Sequence, residues 1–247
     1  MKSAVLSVAT AALVAGSPAG AALEKQRPLK LRETCVTRAE RNHVVRFRAS
    51  DGVRLIGVQL GRGPRVVILA HQGASNLCIW LRYGRSLAAR GYRVLVFDHR
   101  GHGSSGSASH WRRWNRVDYD VIGAVRTMRA RGATSVVLGG GSLGGAAVLS
   151  AAALATPAVD GVISFASPSQ FGPIDVLAAV ASVRVPALFL SAEGDGEFPE
   201  VARMLYDRCA SPDKELFLFP GAEHGAPVLR DPQVQARVDE FIARHSP

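Results

Sequence analysis

The sequence predicts one α/β domain: a mostly parallel eight-stranded sheet with helices on both faces and no sizeable lid domain. Short β-branched apolar runs alternate with longer Ala/Leu-rich amphipathic stretches. The inner runs, such as RVVILA and RVLVFD, are apolar at nearly every position, as strands covered on both faces are. A chain of 247 residues, 47% hydrophobic and 20% charged, suits a single domain with a sizeable core.

Residues 1–22 are set apart from that domain. MKSAVLSVATAALVAGSPAGAA holds one early cation, Lys2, an apolar run from Ala4 to Ala15, and then a Pro/Gly break. Ala19-Gly20-Ala21 gives the small-x-small pattern of a signal-peptidase site, so cleavage after Ala21 or Ala22 is expected. The domain over residues 23–247 is then secreted or held at the cell envelope, with no stable membrane insertion after cleavage. Export permits a disulfide among Cys35, Cys78 and Cys209. Cys35 with Cys78 is the expected pair, and three unpaired thiols are the alternative.

Strands are expected at HVVRFRA, RLIGVQL, RVVILAH, RVLVFDH, SVVLGG, GVISFAS, PALFLSA and ELFLFP. The first two are joined by SDG, a hairpin signal. Helices are expected to begin near Leu81, Val117, Leu143, Pro173, Glu200 and Gly225. Only about 17 residues separate Pro168 from Val185, and one helix, GPIDVLAAVAS, takes most of them, which leaves an open site.

The net charge of +10 is uneven: residues 1–131 carry 23 Lys/Arg against 7 Asp/Glu, and residues 132–247 carry 7 against 13. Arginine outnumbers lysine 26 to 4, scattered without aromatic interleaving or a nucleic-acid motif. A nucleic-acid partner is not expected; attraction to an anionic surface stays open.

Ligands of such sheets bind outside the carboxyl ends of the strands. Here those ends deliver His71-Gln72-Gly73, Asp98-His99-Arg100, Ser142, Ser167-Pro168, Glu193-Gly194-Asp195 and His224. Ser142 lies in GGSLG, residues 140–144, the chain's one G-x-S-x-G match. SVVL before it and GAAVLSAAAL after it supply the strand–turn–helix context of a nucleophile elbow. Gly140 and Gly144 let neighbouring backbone pass, Gly145 allows close helix–sheet packing, and Gly139 and Gly141 read as permissive. The rival, a phosphate-binding loop, lacks its lysine-serine ending and an acidic ribose partner.

A serine hydroxyl needs a base, and the base an orienting acid. After Ser142 come only His224, in the Gly-bounded loop FPGAEHGAP, and His245, in a tail expected to be solvated. His224 is the candidate base. Asp195, between two glycines in LSAEGDGEFPE, is the candidate acid, with Glu193 as runner-up and Glu197 and Glu200 as helix-start charges. The Leu143 amide is one oxyanion donor; Gly73 is the choice for the other, with Gln72 the alternative. His71 is expected to brace its loop.

Together these residues resemble an α/β-hydrolase over about residues 44–244, of the lidless esterase or lysophospholipase-like kind. FDHRGHGSSG resembles the Asp-x-Arg-Gly-x-Gly-x-Ser turn after the fourth strand of many esterases of that family. HQG departs from the usual His-Gly. By resemblance Ser142, Asp195 and His224 are nucleophile, acid and base, and no cofactor or metal is implied. His99 and His102 read as a structural turn. The expected activity is serine-dependent hydrolysis of a small-molecule carboxylic ester. Alternatives are a peptidase or amidase with the same triad, or a non-catalytic binding protein. SSGSASHWRRWNRVD, residues 104–118, either packs its tryptophans on the sheet edge or forms a rim for an acyl or anionic substrate portion.

Overall fold

A computed structural model describes residues 27–246; the expected signal peptide, residues 1–22, lies outside them. The β-branched runs form strands β1 (Val44–Arg48), β2 (Arg54–Leu60), β3 (Arg65–Ala70), β4 (Arg93–Asp98), β5 (Ser135–Gly141) and β6 (Gly161–Phe165). A two-residue-per-strand hairpin follows, β7 (Gln170–Phe171) and β8 (Ile174–Asp175), then β9 (Ala187–Ala192) and β10 (Lys214–Phe219). Eight of these make one sheet in the order β1-β2-β4-β3-β5-β6-β9-β10. The β1–β2 and β2–β4 pairs are antiparallel and the rest parallel.

The helices are α1 (Cys78–Ala89), α2 (Val117–Ala130), α3 (Leu143–Leu154), α4 (Val176–Val180), α5 (Phe198–Arg208) and α6 (Pro232–His245). The period of two along a strand sorts side chains between two cores. In β3, Val66 and Ile68 belong to the core under α2 and α3, whereas Val67 and Leu69 belong to the core on the opposite face, under α1. Helix α3 is buried along nearly its whole length, which fits a sequence apolar on every side.

Between β6 and β9 there is only the β7–β8 hairpin and the short α4, so no lid domain stands over the sheet. The single helix expected from GPIDVLAAVAS is therefore corrected. Its first residues turn back as a hairpin, and Asp175 caps α4 by accepting the Ala178 N–H at 2.9 Å. The helix expected near Gly225 is a 3-10 turn, Ala226–Arg230, followed by α6, whose start is capped by Asp231. His245 is not a solvated tail residue: it ends α6 and packs on Phe241 at 4.5 Å between ring centroids.

The amino-terminal segment is tied across this frame. Cys35 is disulfide-bonded to Cys78 at the start of α1, with Cα atoms 5.8 Å apart, and Cys209 is a buried free thiol. Among the described residues no helix is long and apolar enough to cross a membrane.

Candidate active site

The end of β5 sets Ser142 in place. Its backbone stands at φ 50°, ψ −116°, a conformation that a residue with a side chain adopts only when its surroundings impose it. They do so on both sides. The Ser142 N–H donates to the Phe165 carbonyl at 2.8 Å, and its carbonyl accepts the Ala146 N–H at 3.0 Å inside α3. A side chain on Gly140 would fall on the Gly144 carbonyl, and one on Gly144 on the Ala70 carbonyl. A Cβ on Gly145 would press on Ser167 Cβ at 3.0 Å, where α3 crosses β6. Gly141 is not the permissive position it was expected to be. Its Cβ would meet Ala226 N and Gly225 Cα at 3.2 Å and Gln72 Oε1 at 3.3 Å. The elbow is thus pressed directly against the loop that carries His224.

His224 and Asp195 come from the loops after β10 and β9, neighbouring strands of the sheet. Asp195 Oδ2 lies 2.7 Å from His224 Nδ1, and no such contact joins His224 to Glu193. With Nδ1 facing the carboxylate, Nε2 is the imidazole nitrogen left to exchange a proton. The Asp195 side chain is mostly buried and the ring about one-third exposed. Phe198, at the start of α5, covers the ring at 4.4 Å between centroids. Glu197 and Glu200 sit at the start of α5, where helix-start charges belong.

Leu143 is the first residue of α3, and Gly73 sits exposed in the turn after β3, followed by Ala74 at φ 51°. Neither backbone N–H donates a hydrogen bond to another described residue. His71, one residue past β3, is buried beneath this turn. Its Nε2 accepts the His99 N–H at 3.0 Å, so Nδ1 carries the proton and donates to the Gln72 carbonyl at 2.8 Å. Burial, reinforced by the neighbouring His99 ring, holds the His71 imidazole well below its ordinary pKa, which keeps it neutral.

Gln72 contributes more than an alternative backbone amide. Its side-chain Oε1 accepts the Ala226 N–H at 3.0 Å, and its Nε2 reaches the His224 carbonyl at 3.4 Å. Sequence reasoning missed this clamp; the signal for it was the glycine at 141 and the glycine at 225, both of which leave room for the Gln72 amide.

DHRGHG builds structure. Asp98 accepts the Leu77 N–H before α1 and the Ser104 N–H, both at 2.8 Å. Arg100, its side chain fully buried, pairs with Asp51 and Asp120. His102 Nδ1 lies 3.0 Å from the Arg100 carbonyl. Trp111 and Trp114 are exposed and do not pack on the sheet edge.

A sheet of this order, a strained serine at the β5–α3 turn, and a carboxylate–imidazole pair after the last two strands decide the architecture. The fold is that of the α/β-hydrolases. Residues 63–174, somewhat under half the chain, match the family model described as serine aminopeptidase, S33; they include Ser142 but neither Asp195 nor His224. An esterase of Pyrococcus furiosus superposes with a TM-score of 0.71 at 20% identity, over 83% of this chain and 91% of that one. The α/β hydrolase GrgF from Penicillium sp. sh18 gives 0.70 at 18% identity, over 82% and 98%. An uncharacterized membrane protein of Saccharomyces cerevisiae is 31% identical over 165 residues, a stretch that spans 57% of each chain. The matched stretch therefore covers little more than half of that yeast protein.

Proposed function

We propose that this α/β-hydrolase-fold protein is a serine hydrolase that cleaves carboxylic esters through an acyl-enzyme. The observation that carries the reading is the 2.7 Å contact of Asp195 with His224, beside a serine held at positive φ. Ser142 Oγ attacks the ester carbonyl while His224 Nε2 takes the hydroxyl proton. Asp195 keeps the proton of Nδ1 in place and stabilises the imidazolium. The oxyanion is met by the N–H groups of Gly73 and Leu143, the latter at the amino end of α3, where the helix dipole favours negative charge. His224 passes its proton to the leaving alcohol. Water, activated by the same imidazole, then releases the acid and restores Ser142.

An ester is favoured over an amide because its alcohol leaves the tetrahedral intermediate more readily than an amine nitrogen does. The esterase of P. furiosus, alike in fold, supports the same side. The serine aminopeptidase description of the matching family model favours a second reading, a peptidase with the same residues in the same roles. Labelling with a fluorophosphonate probe, followed by a panel of esters and aminoacyl peptides, separates the two. Wild type is expected to label and to turn over esters, and Ser142→Ala to do neither. Turnover that survives Ser142→Ala would refute the mechanism, and turnover of peptides alone would transfer the site to the second reading.

A further inference from the structure

Among the described residues four large apolar side chains stand exposed, and two of them bracket one 3-10 turn, Trp111 beginning it at 64% exposure and Trp114 capping its end at 60%. The turn does not hang loose. Arg100, buried beneath it, is gripped by Asp51 at 2.9 Å and Asp120 at 2.7 Å, and donates to the Arg113 carbonyl at 2.8 Å. On the other flank Asn115 lies against Gly172 of the β7–β8 hairpin, where no further side chain would fit. The turn is thus anchored on both flanks with its two indoles outward, where a covering surface would relieve their hydration cost.

The chemistry of the turn selects that surface. Trp114 Nε1 already donates to the Ala108 carbonyl at 3.2 Å, so burying its ring strips no unpaired donor of water. The Trp111 ring has His110 stacked at 5.9 Å between centroids and the Arg112 guanidinium over it at 5.3 Å, so a cation already sits beside the indole. Arg112 and Arg113 make no ion pair among the described residues, and no carboxylate occurs from Ser104 to Val117. Two indoles flanking two guanidiniums without carboxylate partners match an interface that is hydrocarbon below and phosphate above.

We propose that the turn Ser107–Arg116 docks this protein on a lipid bilayer carrying anionic headgroups, Trp111 and Trp114 entering the interface and Arg112 and Arg113 meeting the phosphates. The turn leaves the carboxyl end of β4, the same sheet edge at which Ser142 follows β5. Docking therefore sets the candidate site facing the membrane border, although the inference does not depend on the hydrolase reading.

The test is co-sedimentation with vesicles of phosphatidylcholine alone and of phosphatidylcholine with phosphatidylglycerol, beside tryptophan emission, on chains with the same amino terminus. Binding is expected only to the anionic vesicles, weakened by salt, with a blue shift from the two exposed indoles. Arg112→Glu with Arg113→Glu should weaken it roughly 30-fold or more, since each basic residue near such a surface contributes about fivefold. Trp111→Ala alone, which breaks no hydrogen bond of the turn, should weaken binding and reduce the blue shift by about half or more while circular dichroism stays unchanged. Equal binding to neutral vesicles, binding unaltered in these variants, or capture of a single-stranded oligonucleotide in place of vesicles would overturn the proposal. So would self-association that Trp111→Ala disrupts without any vesicle binding by wild type.

Discussion

Gln72 accepts the Ala226 N–H at 3.0 Å and so fastens the loop after β3 to the loop after β10. One side chain thereby links the stretch that holds Gly73 to the stretch that holds His224. Gln72→Ala leaves the buried Ala226 N–H without a partner, a loss of about 1–3 kcal/mol in stability. If the loop sets the imidazole relative to Ser142, kcat for an ester should fall roughly tenfold to a hundredfold, as small displacements of reacting groups do. KM should change little. A lowered melting temperature with kcat intact would make Gln72 a structural tie only.

The elbow glycines are predicted to differ in what they tolerate. Gly140→Ala and Gly144→Ala each drive a methyl group into a carbonyl of a neighbouring segment, which the backbone can relieve only by moving Ser142. Gly139→Ala instead meets Leu69 Cδ2 at 3.0 Å, the tip of a flexible side chain. Urea unfolding should show losses of about 3 kcal/mol or more for the first two, and under about 1.5 kcal/mol for the third. Comparable losses at all three positions would contradict the assignment of the close contacts.

These contrasts show what was legible in the sequence. All eight strands of the main sheet could be read: β3, β4 and β5 as uninterrupted apolar runs buried on both faces, β1 and β2 through the hairpin signal between them, and the rest as short apolar runs bounded by turn residues. The strand–turn–helix around Ser142 could be read because one glycine-rich pentapeptide fell between such a run and an Ala-rich helix. The β7–β8 hairpin could not: two residues per strand are too few to show a period, and its sequence merges with the helix that follows. The role of Gln72 was hidden for another reason. Its partners lie 152 and 154 residues away, and nothing local to HQG distinguishes a solvated amide from a clamped one. Gly141 reads as permissive for the same reason: the space beside it is filled by residues from two distant loops. The resemblance to α/β-hydrolases holds at the level of the fold.

Asp98 carries a pH dependence. Burial, above all, lifts its carboxyl from 3.8 to about 7, with the nearby Glu33 carboxylate adding to the shift and the Ser104 and Leu77 N–H groups opposing it. Because the folded-state value is raised, the folded protein holds a proton that the unfolded chain gives up. Stability from this group is therefore greatest near pH 4 and falls as pH rises to about 7. Glu33→Gln keeps an acceptor for the Ser104 hydroxyl and removes the neighbouring charge. Its melting temperature should drop less than that of wild type between about pH 5 and pH 8. An equal or larger drop would mean that Glu33 does not act on Asp98.

The disulfide between Cys35 and Cys78 closes a loop across a separation of 43 residues. That loop contains β1, β2 and β3, so the bond restrains three of the sheet's eight strands in the unfolded chain as well as pinning the amino-terminal segment to α1. Loop entropy alone puts its contribution at about 4 kcal/mol at 25 °C. Cys35→Ser with Cys78→Ser should lower the urea midpoint accordingly, and dithiothreitol should do the same to wild type and nothing further to the double variant. Thiol titration supplies the control. Native wild type should show no reactive thiol until it unfolds, when buried Cys209 alone reports. Three reactive thiols on unfolding without reductant would show that the bond does not form, and the amino-terminal segment would then rest on contacts such as the Arg85–Glu40 ion pair at 2.7 Å. An exposed pair of that kind contributes under about 1 kcal/mol, too little to replace the covalent tie.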